Sequence, residues 1–171
     1  MTRYGFSGSR SIPAGRESII DGVLAILHGA EFTTGACIGV DAYVGRKLWH
    51  DRPKALHRIV VPADRSRVKY WWTHRAIRDA GPQSGVLLEE MMPGMSYADR
   101  NQRIVQHSDV LVAFPAHRET DPRSKRSGTW QTVRMARRKK LSVVLAVLDQ
   151  HGRAVAETEG TRDAPVALEV V

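Results

Sequence analysis

Residues Ser108 to Leu148 run SDVLVAF PAHRETDPRSKR SGTWQTVRMARRKK LSVVLAVL. Val110–Phe114 and Ser142–Leu148 are short apolar runs, as expected of strands buried on both faces of a parallel sheet. Between them, Thr129–Lys139 carries an amphipathic helical pattern that opens on Ser127-Gly128-Thr129. Strand, helix and strand in this order make a βαβ unit, the building block of an α/β sheet. Working outward, apolar runs recur at Tyr4–Ser7, Glu31–Cys37, Ala55–Val61 and Gly85–Leu88. Helical patterns separate them at Ala14–His28, Asp41–His50, Val68–Ala80 and Tyr97–His107. The stripe Ile19, Ile20, Val23, Leu24, Leu27 gives the first helix its buried face. The pattern predicts an α/β fold of βαβ units around a parallel sheet.

The chain of 171 residues reads as a single domain, with a core over about residues 3–148 and a weakly held tail over 149–171. Within that tail, Asp149–Arg153 reads as a turn opening a hairpin to Ala154–Glu157. Hydrophobic residues make up 42% of the chain, enough for a core without staples, and the single Cys37 excludes an internal disulfide. Cys37, at the end of an apolar run, is expected to be a small buried residue. There is no run of about 20 apolar residues and no signal-peptide core near the start, so a soluble cytoplasmic protein without membrane contact is expected.

The formal charge is +8, and residues 116–140 hold nine Lys/Arg against Glu119 and Asp121. A solvated helix face explains part of this run. The long loop His117–Ser127, just before a helix start, points to an anion for the rest. Seven scattered His residues form no ligand spacing, so neither a metal nor a cofactor is expected. GxSxG, GxxxxGK and GxGxxG are all missing. Trp71 and Trp72 beside Tyr70 fit core or interface packing better than base stacking.

Four segments sit just after candidate strands, where open α/β sheets bind ligands. In Gly8-Ser9-Arg10 a tight turn offers N–H and O–H donors beside a guanidinium. Gly39-Val40-Asp41 opens a helix, where Asp41 caps it, accepts a ligand hydroxyl, or does both. Glu89-Glu90-Met91-Met92-Pro93-Gly94 leads to Arg100-Asn101-Gln102-Arg103, two arginines on one helix face that need an anion or the Glu pair to offset them. Ser127-Gly128-Thr129, with Thr132, forms a phosphate cradle at a helix start. Capping by Ser127 or Thr129 is the competing reading.

In this order, over about residues 4–147, the segments resemble the SLOG superfamily of Rossmann-like domains, and most of all the central domain of the DprA family of DNA-processing proteins. The pattern runs from Gly8-Ser9-Arg10 through Gly39-Val40-Asp41, Pro93-Gly94, Arg100-Asn101-Gln102-Arg103 and Ser108–Val112 to Ser127-Gly128-Thr129, Thr132 and Ala136. The resemblance implies a Rossmann-like, three-layer α/β/α fold with a doubly wound, mostly parallel sheet, and a site for a nucleotide or nucleotide-derived ligand built from Gly8, Ser9, Arg10, Gly39, Asp41, Arg100, Asn101, Ser127, Gly128, Thr129 and Thr132. Homodimers and single-stranded DNA binding are also implied. The chain is too short for the flanking domains of full DprA proteins.

LOG-type nucleoside 5′-monophosphate phosphoribohydrolases belong to the same superfamily and carry P-G-G-x-G-T-x-x-E. Here Ser124-Lys125-Arg126 precede Gly128-Thr129, and Thr132 stands in place of the glutamate. Arg100 matches the catalytic arginine of that family, Asn101 replaces the lysine beside it, and Glu90 or Glu89 is the candidate substitute acid. Three expectations follow: nucleotide binding first, N-glycosidase activity with Arg100 and Glu90 second, and single-stranded DNA binding third. An aromatic content of 6% disfavours the last.

Overall fold

The computed structural model describes residues 2–63, 68, 78, 85–149, 155–159 and 168–169. Six strands run parallel: β1 (Arg3–Gly8), β2 (Glu31–Thr34), β3 (Leu56–Val61), β4 (Val86–Glu90), β5 (Val110–Phe114) and β6 (Ser142–Ala146). Two more, β7 (Val155–Glu159) and β8 (Leu168–Glu169), extend the sheet antiparallel. The strand order is β4-β3-β2-β1-β5-β6-β7-β8. The chain therefore builds outward from β1 in one direction, returns, and builds from β5 in the other. Helices α1 (Glu17–Ile26), α2 (Val40–Asp51), α3 (Tyr97–Gln106) and α4 (Gly128–Arg138) connect the strands.

Alternation along the strands sorts the core into two layers. Val112, Phe114, Val144 and Ala146 face α1 and α2 together with Phe6 and Phe32. Their neighbours Leu111, Ala113, Val143 and Leu145 face Ile104 of α3 and Trp130, Val133 and Ala136 of α4. Both faces of the central strands are thus covered, which accounts for their continuous apolar sequence. At Gly5 a Cβ would overlap the Ser108 hydroxyl, so this glycine lets the end of α3 lie against β1.

Element boundaries differ from the sequence reading at informative places. β2 stops at Thr34 and not at Cys37, because Ala36 adopts a left-handed φ of 58° and turns the chain. The expected hairpin after β6 forms, with Ala146 opposite Ala156. Within the stretch expected to be a weakly held tail, Leu168 and Glu169 form a short strand on the free edge of β7, with Leu168 opposite Ala156. The helix expected over Val68–Ala80, with Tyr70, Trp71 and Trp72, lies outside the described residues. Among the described residues no helix is long and apolar enough to cross a membrane.

Candidate functional site

The reversal of strand order falls between β1 and β5, and at their carboxyl ends a cleft of about 380 Å³ opens. Glycines clasp its floor. A Cβ on Gly8 would collide with Val40, and one on Gly39 with the backbone of Ser9 and Arg10. Gly39 also has a φ of +81°, which glycine adopts without strain. The Val40 N–H donates to the Ser9 carbonyl at 2.9 Å, and the Ser9 N–H donates to the Phe114 carbonyl at 3.0 Å. The turn after β1 is thereby fixed to the start of α2 on one side and to β5 on the other. Gly39 acts on the site through this packing and does not itself line the cleft.

Asp41 does not cap its helix. The N-cap is Gly39, and Asp41 reaches from the first turn to Arg100, whose Nη1 donates to Oδ2 at 2.8 Å and to the Gly35 carbonyl at 2.9 Å. Both side chains are less than a tenth exposed. A Cβ on Gly35 would overlap this guanidinium, so the pair exists only because position 35 is bare. Burial pushes the Asp41 carboxyl up, opposed by the Arg100 charge. Burial also acts to lower Arg100, but Asp41 beside it outweighs that and the net direction is upward. The pair is ionised at neutral pH, since an arginine keeps its proton and a neutral partner would leave that charge buried alone. Two buried atoms of the pair, Asp41 Oδ1 and Arg100 Nε, have no hydrogen-bond partner. Both residues line the cleft.

The opposite wall is the start of α4. Ser127 caps it, accepting from the Trp130 N–H at 3.4 Å. Thr132 lies fully buried beneath, donating to the Gly128 carbonyl at 2.8 Å and accepting from Ser7 Oγ at 3.2 Å. Asn101 Nδ2 donates to the same Gly128 carbonyl at 3.4 Å. Thr132 and Asn101 therefore hold the cradle in place. Gly128 and Thr129 present first-turn N–H groups that no helical carbonyl can accept. The positive end of the helix dipole adds to their pull on an anion.

Much of the basic loop is already neutralised. Arg118 pairs with Asp149 at 3.0 Å, Arg123 with Asp121 at 2.7 Å, and Arg137 with Glu119 at 2.8 Å. Asp121 also accepts from the Arg123 backbone N–H, capping the 3-10 turn Pro122–Arg126. The Arg123 side chain beside Asp121 holds that carboxyl well below the usual carboxylate range. Arg137 also lies 5.9 Å from the Trp130 ring centroid, so it is not part of a purely solvated helix face. Among the described residues lining the cleft, Arg10 and Arg126 are the arginines without a carboxylate partner.

The second acid expected at the site is elsewhere. Glu90 ends β4 at the far edge of the parallel strands and does not line the cleft. Three strand spacings separate β4 from β1, about 14 Å. Glu89 meets His107 at 2.6 Å, Arg103 at 3.4 Å and Arg58 at 4.0 Å. Arg100 and Arg103, expected to be offset by an anion or by the Glu pair, diverge toward separate carboxylates: Glu89 of that pair meets Arg103, and Asp41 meets Arg100. Asp41 is the carboxylate lining the cleft.

Tyr97, Cys37 and His117 also line the cleft, and the sequence reading did not place them there. Tyr97 sits between two cations, with Arg10 and Arg100 at 5.8 and 5.6 Å from its ring centroid. Its position had a signal in Ser96-Tyr97-Ala98-Asp99, the spacing of a capping box, which forms here and sets Tyr97 in the first turn of α3. Cys37 is partly exposed, not buried, because the chain has already turned away from β2 at Ala36. Among the described residues no three His, Cys, Asp or Glu side chains converge as a metal site.

Fold and cleft define a Rossmann-like α/β protein with a ligand-sized crevice where its strand order reverses. Compared with known proteins, the chain matches no family model, no curated protein and no solved structure.

Proposed function

We propose that the cleft binds a small phosphorylated ligand of the nucleotide type, in the manner of a SLOG-like domain. One observation carries this reading: a helix start with two free N–H groups lines a cleft of about 380 Å³ together with two arginines that have no carboxylate partner, Arg10 and Arg126. A phosphate there meets backbone donors and a guanidinium, contacts that strengthen when partly shielded from water. Asp41 is the carboxylate that lines the cleft, and it is the group placed to accept a hydroxyl of the attached sugar. Such ligands belong to the cytoplasm, and we place the protein there.

Calorimetric titration with nucleoside mono- and diphosphates, NAD and ADP-ribose tests the reading, and no heat from any of them overturns it. Arg126→Ala removes an unpaired charge and is expected to weaken binding by about 1.5–3 kcal/mol in the same titration. A pocket ligand gives a salt slope of about one to two, whereas a steep slope moves the assignment to single-stranded DNA. Free base appearing in chromatograms of the same mixtures moves it to an N-glycosidase. Its carboxylate would then be Asp41, since Glu90 lies outside the cleft.

A further inference from the structure

A second cleft of about 590 Å³ adjoins the first. Ala116, His117 and Arg123 line both, so the two are neighbouring lobes sharing one wall. The second lobe is otherwise enclosed by Ser11 and Pro13 of the turn before α1, by Arg118, Thr120 and Asp121 of the basic loop, and by Leu148 and Asp149 beyond β6.

The lobes differ in charge. The first contains two arginines without carboxylates and a helix start. In the second, each arginine already has its acid, Arg118 with Asp149 and Arg123 with Asp121. That lobe gives no net attraction to a second phosphate, yet it offers hydroxyls, carboxylate oxygens and guanidinium N–H groups. Such a surface suits an uncharged group rich in hydroxyls or amides. The shared wall is movable at one point. Arg123 is 68% exposed, and its tether Asp121 belongs to the same turn, so its side chain swings aside without opening the core.

We infer that the ligand spans both lobes, with a phosphodiester or pyrophosphate in the first and a neutral sugar or base reaching past Arg123 into the second. This rests on the phosphate reading above and narrows it, because a nucleoside monophosphate fills only one lobe.

Titration of the full chain with AMP, ADP and ADP-ribose tests it, with ADP controlling for the pyrophosphate. ADP-ribose is expected to bind about tenfold tighter than ADP. Thr120→Trp, which fills the second lobe, is expected to bring ADP-ribose down to the affinity of ADP while moving ADP by less than about twofold. Equal affinities of ADP and ADP-ribose for the unaltered protein overturn the two-lobe ligand and leave the phosphate reading standing. Failure of all three to bind overturns both. The comparison on the unaltered protein decides the matter even where the tryptophan variant does not fold.

Discussion

Two strand ends in this molecule look alike in composition and differ in what they do. At the β1 and β5 end, Asp41 meets Arg100. At the β4 end, Glu89 meets Arg103, His107 and Arg58. The first pair is almost wholly buried and leaves one acceptor and one donor unused. The second is a half-buried network in which the acid is surrounded by basic groups. Acid and arginine at a strand end are therefore not a site in themselves. A site needs buried polar atoms that the protein leaves unsatisfied beside an open space, and only the first region has them among the described residues.

The contrast breaks most visibly at Asp41. Asp41→Ala strands the Arg100 charge in the interior and is expected to cost about 3–5 kcal/mol in urea unfolding. Gly35→Ala tests the same pair from the other side. Its methyl must displace a guanidinium that is locked by Asp41, at an expected cost of about 1–3 kcal/mol, accompanied by loss of ligand binding. At the other strand end, Arg103→Ala removes a partner that is 46% exposed, and its expected cost is below about 1 kcal/mol. A loss there as large as that of Asp41→Ala would erase the distinction between the two regions.

The smallest effect concerns His57, on β3 in the half of the sheet away from the cleft. Burial lowers its pKa below the ordinary 6.5, against the opposing contact of its Nε2 with the Arg52 carbonyl at 3.0 Å. The folded state therefore binds the proton less readily than the unfolded chain. Its contribution is intact above about pH 6.5 and is lost as the pH falls below that value. His57→Gln keeps a donor for Arg52 and is expected to flatten unfolding free energy between pH 7 and 5, about the range over which an ordinary His titrates. Ligand affinity at constant pH is expected to stay the same.

The fold was legible because its information is local. Runs such as Val110–Phe114 and the stripe from Ile19 to Leu27 show their burial in their own spacing, and the topology rules for βαβ units then order the sheet. The glycine and hydroxyl positions at the cleft were legible for a related reason: tight turns and helix starts limit what residue fits. What escaped was pairing over distance. Nothing near Asp41 announces an arginine 59 residues away, nor does Arg118 announce Asp149. An isolated charge in a sequence does not show whether its field is already cancelled, so the basic loop promised more free cations than it holds. Glu90 was misplaced for the opposite reason. Its neighbours in sequence lead straight to Arg100, but the sheet sends its strand to the far edge.

The loop between β5 and α4 is stitched to its surroundings at Arg118–Asp149, at Glu119–Arg137 and by the Trp130 indole N–H donating to the His117 carbonyl at 2.8 Å. Its conformational entropy is consequently surrendered during folding and not at the moment of encounter. On the proposed reading a ligand meets walls that, the Arg123 side chain aside, already stand, and its association is expected to follow diffusion and electrostatic steering. On that reading residence time, set by how well Arg10, Arg126 and the helix start hold the anion, is expected to carry the selectivity.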